Sequence, residues 1–392
     1  MEHPFDAITL DELRGRRSAK WAHYPADVLP AWVAEMDYPL AAPIARALHA
    51  AIDRHDVGYA YANDLGAALA GWLARTYAWT IDPRDVKLVP DVVTAIAELV
   101  RALTEPGDRI IIDPPVYPPF ASTVKHHGRA LVEVPLATAG GRPCLDLDGL
   151  ARAYAAGARM HVLCSPQNPT GIVHDRASLA ALAELADRHG VIVIADEIHA
   201  PLTLPGATHV PFPAISEAAA RWTILLASAS KAWNLAGLKA ATIVTASPEA
   251  RALAGRVGPE VAFHAGHLGV IAARAAFHDG APWLAQTHAI LDRNRALLAE
   301  LLATHLPEVG YRPPEASYLA WLDCRALGLG RDPSRVFLER GRVALSPGPG
   351  FGPGGDGHAR LNIGTTRALL EEAVRRMAAA VAAHRAHAST TR

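Results

Sequence analysis

The sequence has few cysteines and no excess of one charge. Its three cysteines, Cys144, Cys164 and Cys324, lie far apart and form no CxxC pair, which argues against a disulfide framework and against a cysteine metal site. The formal net charge is -1, so there is no global electrostatic reason to bind nucleic acid or an anionic membrane. Histidines are numerous, but no HExxH pair or acidic ligand cluster accompanies them, and we expect no metal site. A small molecule is the partner that this composition favours.

Long hydrophobic runs are also missing. No run reaches the roughly 18 residues of a membrane span, and residues 1–7 include acidic side chains without the apolar segment of a signal peptide. We therefore expect a cytoplasmic protein with no membrane association. The 392 residues, 51% of them hydrophobic, are enough for two or three domains with a large core.

One apolar run leads directly into a loop that carries a lysine. The run Thr223 to Ala227 is typical of a buried strand, and Ser228-Ala-Ser-Lys231 follows it. The lysine therefore lies at the carboxyl end of a strand, the edge at which open α/β sheets bind ligands. A desolvated lysine there can act as an amine nucleophile on a carbonyl. Taken alone, the residue could equally be a solvated surface lysine.

Two more predicted strands end in polar loops. A strand at 160–164 precedes the loop 165–171 (SPQNPTG), a helical segment covers 175–189, and a strand at 191–195 precedes Asp196-Glu-Ile-His199. This alternation predicts a βαβ unit in an α/β fold with a parallel sheet. Because the carboxyl ends of parallel strands meet at one edge, we expect all three loops to lie together.

The three loops carry the groups that a pyridine aldehyde phosphate would need, namely an amine, a carboxylate, an amide and hydroxyls. Asp196 can pair with a protonated ring nitrogen and keep it charged, while Asn168 and His199 can bond a ring oxygen. Each has a structural alternative, because Asp196 could cap a helix and His199 could be a hydrogen-bonded core histidine.

Four further features are candidates for binding. A predicted helix over 90–103 begins at Asp91, and its free N–H groups could hold a phosphate, although an acidic cap would compete with it. Tyr117 follows a buried strand at 109–112 and could stack on a flat cofactor. Tyr59 lies in an interrupted GYAY segment and could bind a ligand or simply pack. Arg360 could bind a carboxylate with two hydrogen bonds or form a structural ion pair.

The sequence resembles the fold-type I pyridoxal-phosphate enzymes of the aminotransferase class I/II superfamily, and within it the cystathionine β-lyase type of C–S lyases (MalY/PatB-like). The resemblance covers nearly the whole chain. It rests on eight motifs: WVAEMDY at 32–38, GYAY at 58–61, DPPVYPPF at 113–120, SPQNPTG at 165–171, ADEIH at 195–199, SASKAWNLAGLK at 228–239, ASYLAWLD at 316–323 and RLNIG at 360–364.

The resemblance implies a large domain with a mostly parallel seven-stranded sheet and a smaller α/β C-terminal domain. The expected boundaries are an N-terminal arm at 1–45 that includes part of the small domain, the cofactor domain at 46–285 and the small domain at 286–392. For the smaller unit the sequence itself predicts antiparallel strands at 316–323 and 342–346 and a final strand from His358.

The resemblance also implies a role for each site residue. Lys231 would form the Schiff base with pyridoxal phosphate, Asp196 would hold the pyridinium, Asn168 and His199 would contact the ring oxygen, and Tyr117 would stack on the ring. The phosphate would be held by Ser228, Lys239 and the backbone at Val92 and Val93, with Tyr59 reaching the phosphate site from the second subunit of a dimer. Arg360 would bind the substrate α-carboxylate.

The activity implied is cleavage of a cysteine thioether to a thiol, pyruvate and ammonia, in a homodimer with a shared site. An aminotransferase that uses a 2-oxo acid acceptor is the alternative, and a mainly regulatory binding protein on the same scaffold is a third. The sequence departs from the family pattern at Glu35, Asp91, Pro118 and Gly364-Thr-Thr366. Asp91 stands where glycine is usual, which weakens the phosphate-site expectation, while Pro118 and the last segment could mark a changed substrate.

Overall fold

A computed structural model describes residues 3–62 and 64–390, with side chains through residue 387. Its strands are short and mostly buried. They are β1 (Leu29–Pro30), β2 (Val86–Val89), β3 (Arg109–Ile112), β4 (Ala130–Glu133), β5 (Ala137–Ala139), β6 (Arg142–Cys144), β7 (Ala158–Cys164), β8 (Ile192–Asp196), β9 (Thr223–Ala227), β10 (Ala241–Val244), β11 (Gly310–Tyr311), β12 (Leu319–Asp323), β13 (Val343–Ala344), β14 (Ser346–Pro347) and β15 (His358–Asn362).

The helices connect and cover these strands. They are α1 (Leu10–Arg14), α2 (Ala19–Ala22), α3 (Ala42–Asp53), α4 (Leu65–Tyr77), α5 (Val92–Leu103), α6 (Pro118–His126), α7 (Leu147–Ala155), α8 (Arg176–His189), α9 (Glu217–Trp222), α10 (Ala229–Ala232), α11 (Pro248–Ala254), α12 (His267–Asp279), α13 (Ala281–His305), α14 (Pro333–Gly341) and α15 (Arg367–Thr390). Within the described residues, none is both long and apolar enough to cross a membrane.

The central sheet has seven strands in the order β2-β10-β9-β8-β7-β3-β4. The pairs from β9 through β4 are parallel, and β10 runs antiparallel to both of its neighbours. Crossover helices connect the parallel strands, as this geometry requires. The expected mostly parallel seven-stranded sheet is therefore confirmed, and β7, β8 and β9 are adjacent.

Both faces of this sheet are covered, so successive strand residues enter different cores. On β8, Ile192 and Ile194 join a cluster with Ile96 of α5, whereas Val193 joins a cluster with Leu182 of α8. Burial on both sides explains why the strands read as continuous apolar runs rather than as alternating patterns. Because both faces are covered, polar side chains of the sheet can lie together at the ends of its strands.

The second sheet contains four antiparallel strands in the order β11-β12-β15-β14. The prediction of a single antiparallel strand at 342–346 is wrong. Val343–Ala344 instead pairs parallel with Leu29–Pro30 of the N-terminal arm, and only Ser346–Pro347 pairs antiparallel with β15. The arm supplies backbone partners here, since the Leu29 N–H donates to the Arg342 carbonyl at 2.9 Å. The domain boundaries at residues 45 and 285 stay a prediction.

One close contact joins the loop after β7 to the segment before β12. Gly171 has φ +69°, and a Cβ there would come within 2.5 Å of the Pro314 side chain. Its carbonyl accepts the N–H groups of Glu315 and Ala316 at 2.8 and 3.0 Å. Only glycine suits both the conformation and the space, so the last residue of SPQNPTG anchors this loop against the second sheet.

Candidate active site

A cavity of about 390 Å³ opens where β7, β8 and β9 end. This volume lies within the range typical of small-molecule sites. Its wall is formed by the three converging loops, the start of α5, the residue before α6 and one residue of the N-terminal segment: Ala34, Pro90, Asp91, Val92, Val93, Thr94, Tyr117, Cys164, Asn168, Asp196, Ile198, His199, Ser228, Ser230, Lys231, Ala236, Lys239 and Ala240. The expected meeting of the three loops is therefore what the structure has.

Lys231 lies in the short helix α10, which Ser228 caps by accepting the Ser230 N–H at 3.1 Å. Its Nζ donates to the Ala34 carbonyl at 3.0 Å. Burial and, to a smaller extent, the positive charge of Arg360 lower the pKa of this amine to about 8, although Asp196 offsets part of their effect. A substantial neutral fraction near pH 8 makes the amine able to attack a carbonyl or to accept a proton.

Asp196 is the last residue of β8, and its side chain is buried. One carboxylate oxygen accepts the Ile198 N–H at 3.1 Å. Burial raises the pKa of the carboxyl to about 7, although the Ile198 N–H and the nearby Lys231 act in the opposite direction. A carboxylate in such a place is stabilised by a cationic partner, and the cavity gives one room to approach.

His199 follows as a buried imidazole. Its Nδ1 and the Ser317 hydroxyl share a hydrogen bond of 3.0 Å. Burial lowers the pKa of the ring to about 3, and the charges of Lys231 and Arg360 act in the same direction. His199 is therefore neutral at ordinary pH and can serve as a hydrogen-bond partner but not as a charge.

Arg360 comes from β15 and lies beside the cavity wall. Its Nη1 donates to Asn168 Oδ1 at 2.9 Å, and its Nη2 donates to the Trp32 carbonyl and the Ser346 hydroxyl at 3.1 Å each. The guanidinium also lies 5.0 Å from the ring centroid of Phe351. Burial lowers its pKa to about 10, so the group stays cationic at neutral pH, and its three hydrogen bonds hold the guanidinium in place.

Tyr117 forms another part of the wall, directly before α6. Its ring meets Phe120 edge-on with centroids 5.9 Å apart, and burial raises the pKa of its phenol. The preceding loop is tied to the loop after β7, because Gln167 Nε2 donates to the carbonyls of Asp113 and Pro115 at 2.8 and 3.0 Å. These bonds fix the position of the tyrosine relative to Asn168.

The far end of the cavity is formed by the start of α5. Asp91 accepts the Thr94 N–H at 2.8 Å, and the Asp91 carbonyl accepts that of Ala95 at 3.0 Å. The first N–H groups of a helix have no partner inside it, so those of Val92 and Val93, two residues of the cavity wall, are available as donors. Lys239 Nζ lies 3.1 Å from the other Asp91 oxygen.

The cavity wall contains all of the predicted site residues except Arg360 and Tyr59. Arg360 contacts the wall through its hydrogen bond to Asn168. Tyr59 does not line the cavity of its own chain; the residue is 85% exposed, and its ring centroid lies 6.4 Å from that of Phe263. Sequence reasoning missed the Ala34 carbonyl, Gln167 and Ser317. Ala34 contributes only a backbone oxygen, which leaves no side-chain signal, but Gln167 lies inside the SPQNPTG motif and could have been found there.

The fold and this site define a class: the chain has the fold-type I architecture of pyridoxal-phosphate enzymes. Over 98% of this chain and 100% of the other, it superposes on cystalysin from Treponema denticola with a TM-score of 0.91 and 25% identity. The profile of the family described as aminotransferase class I and II matches residues 23–377. The chain belongs to this family.

Two relatives extend the likeness over nearly the full length. Cystathionine beta-lyase PatB of Bacillus subtilis is 35% identical, covering 95% of this chain and 98% of the relative. A cystathionine beta-lyase of Corynebacterium glutamicum is 36% identical, covering 94% and 98%.

Proposed function

We propose that the protein is a pyridoxal-phosphate-dependent C–S β-lyase. It would convert a cysteine thioether and water into a thiol, pyruvate and ammonia. The observation that carries the proposal is the cavity in which a buried lysine amine, a buried carboxylate and an arginine-bound amide meet. The names of the full-length relatives support the lyase chemistry in particular.

The residues present fit the cofactor. Asp196 is a buried carboxylate, and among the described residues its hydrogen-bond donor is the Ile198 N–H rather than a cation. It is therefore available to pair with a pyridinium nitrogen. Lys231 is a buried amine of lowered pKa, suited to a carbonyl. The N–H groups at the start of α5 and the ammonium of Lys239 suit a phosphate. Tyr117 offers a ring face, and Asn168 and His199 offer polar groups for a ring oxygen.

When bound, pyridoxal phosphate supplies an electron sink for the electrons released at the substrate Cα. Arg360 would bind the substrate α-carboxylate and orient the molecule, with the positions of its own nitrogens fixed by Asn168 and Trp32. Lys231 Nζ would accept the Cα proton as general base, which its lowered pKa permits near neutral pH. Departure of the thiolate from Cβ and hydrolysis then give the three products.

The aminotransferase alternative uses the same lysine and the same ring contacts. It differs in where a proton is returned and in its need for a 2-oxo acid acceptor. The two are separated by supplying L-cystathionine to the holoprotein without any 2-oxo acid and assaying pyruvate and thiol. A lyase releases both continuously, and Lys231→Ala abolishes the release, whereas Lys125→Ala, an exposed lysine on α6, leaves it unchanged. Absence of thiol, with L-cystathionine consumed and a new amino acid formed only after a 2-oxo acid is added, would support the aminotransferase.

We also propose a cytoplasmic homodimer in which Tyr59 reaches the partner's phosphate site. The high exposure of Tyr59 in the single chain supports this role. Mixing Lys231→Ala chains with Tyr59→Ala chains tests it, because each mixed dimer regains one complete site. We expect about one quarter of wild-type activity from a random mixture of symmetric dimers. No recovery in mixtures shown to exchange subunits would contradict the shared site.

A further inference from the structure

We infer that Asp91 is an internal anion that competes with the cofactor's phosphate and so sets the affinity of this cleft for a phosphorylated ligand. The inference rests on the proposed cofactor site. It concerns Asp91, whose negative charge repels an anion and which is the acidic side chain among the described residues of the cavity wall at the start of α5.

The Asp91 carboxylate contacts two of the groups that could bind a phosphate, an N–H at the start of α5 and the ammonium of Lys239. Oδ1 accepts the Thr94 N–H at 2.8 Å, and Oδ2 lies 3.1 Å from Lys239 Nζ. Asp91, Val92, Ser228 and Lys239 all line the same cavity. The carboxylate therefore engages both the positive end of the α5 dipole and the ammonium ion beside it.

Ser228 offers little compensation for this competition. Its hydroxyl already donates to the Ala240 carbonyl at 2.7 Å and accepts the Ser230 N–H at 3.1 Å. A phosphate would have to displace the first bond to receive the serine proton. Among the described residues of the cavity wall, Lys239 is the cation beside the start of α5. Its ion pair with Asp91 therefore reduces the positive charge that a phosphate would meet.

Lys239 can change partner without moving its backbone. Its φ is +57°, and its carbonyl accepts the Gly266 N–H at 2.8 Å, which holds the main chain in place. The side chain is 57% exposed, so the ammonium can turn from the carboxylate to a phosphate. The carboxylate itself stays charged, since the Thr94 N–H and Lys239 lower the pKa of Asp91 despite its partial burial.

The substitution Asp91→Asn isolates the charge. Asparagine is as good an N-cap as aspartate, so the Thr94 bond and α5 are kept while the competing anion is removed. A phosphate monoester carries about -1.5 to -2 charges at pH 7. We expect the dissociation constant for pyridoxal phosphate to fall about tenfold in the variant, which corresponds to about 1.4 kcal/mol.

The test is equilibrium dialysis of the full-length protein, followed by the visible absorbance of the bound ligand. Pyridoxal phosphate and pyridoxal are compared, because pyridoxal lacks the phosphate. We expect tighter binding of pyridoxal phosphate alone by Asp91→Asn, with pyridoxal changed less than about twofold. Asp146→Asn is the matched control, since Asp146 caps α7 through Gly149 at 2.9 Å, has Arg152 4.0 Å away and lies outside the cavity wall.

Asp91→Ser also keeps a side chain that can cap α5 and removes the charge. It provides a second measurement of pyridoxal phosphate affinity if the asparagine variant folds poorly. When Lys239→Gln is also present, Asp91→Asn should increase the affinity for pyridoxal phosphate by less, because the ammonium for which the carboxylate and the phosphate compete has been removed. Unchanged or weaker pyridoxal phosphate binding by both Asp91 variants overturns the inference, as does an equal gain for pyridoxal. Wild-type protein that binds neither compound would instead overturn the proposed function, and this inference with it.

Discussion

Arg360 Nη1 donates a hydrogen bond to Asn168 Oδ1 over 2.9 Å, joining β15 to the loop after β7. Because Oδ1 accepts this bond, the amide nitrogen of Asn168 is the end left to donate toward a ring oxygen of the cofactor. The proposed substrate carboxylate site and the proposed ring contact are therefore one connected unit, and substitution of Asn168 should affect both.

Two substitutions of Asn168 separate these effects. Asn168→Ala removes the bond to Arg360 and the donor to the ring, so we expect KM for the amino acid to rise about tenfold and the cofactor absorbance to shift. Asn168→Asp keeps an acceptor for Arg360, and we expect KM within about threefold of wild type with the absorbance still shifted. Steady-state kinetics and visible spectra measure the two properties. An unchanged KM in Asn168→Ala would show that Arg360 is oriented without it.

The neutral state of His199 predicts a pH-dependent stability difference. Its pKa is about 3 in the native state, whereas the unfolded chain takes up a proton below about pH 6.5. From pH 7 to pH 5 this one residue should therefore remove about 2 kcal/mol from the free energy of unfolding.

Urea unfolding of wild type and His199→Asn at both pH values measures this contribution. The variant should lose about 2 kcal/mol less than wild type on acidification, whatever other groups contribute to both proteins. His126→Asn, at an exposed position on α6, should behave like wild type. Equal losses in wild type and His199→Asn would mean that His199 is protonated in the native state.

Gln167 should hold the Tyr117 loop in place. Replacing it by leucine leaves the buried carbonyl of Asp113 and the partly buried carbonyl of Pro115 without their side-chain donor. We expect a loss of about 2 kcal/mol in the free energy of unfolding and weaker cofactor binding. Denaturant unfolding and cofactor dialysis test the two effects, with exposed Gln286→Leu as the control. A stable variant with normal cofactor binding would remove Gln167 from this role.

The lowered pKa of Lys231 predicts how fast the cofactor attaches. A free amine is required, so the rate of attachment should rise with pH around a midpoint near 8, well below the value of about 10.4 for an ordinary lysine. Stopped-flow absorbance after mixing cofactor with cofactor-depleted protein follows the step. A rate that keeps rising steadily through pH 10 would contradict a desolvated Lys231.

The sequence allowed prediction of the parallel sheet and of the residues at its ends, because buried strands and polar loops have local signatures. It could not predict contacts made by backbone atoms. The Ala34 carbonyl that accepts Lys231 Nζ carries no side-chain signal, and the pairing of Leu29–Pro30 with Val343–Ala344 joins segments that are remote in the chain. The ion pair of Asp91 with Lys239 likewise depends on the fold, although the conflict between an acidic cap and a phosphate was visible beforehand.

The proposed lyase eliminates a thiol and does not transfer an amino group. The most direct test counts pyruvate molecules per active site when the holoprotein receives an S-alkylcysteine and no 2-oxo acid. A lyase regenerates its cofactor in every cycle, so we predict pyruvate and thiol in equal amounts, continuing beyond about 100 turnovers. Reaction that stops after a single turnover, with thiol absent and activity restored by a 2-oxo acid, would contradict the account.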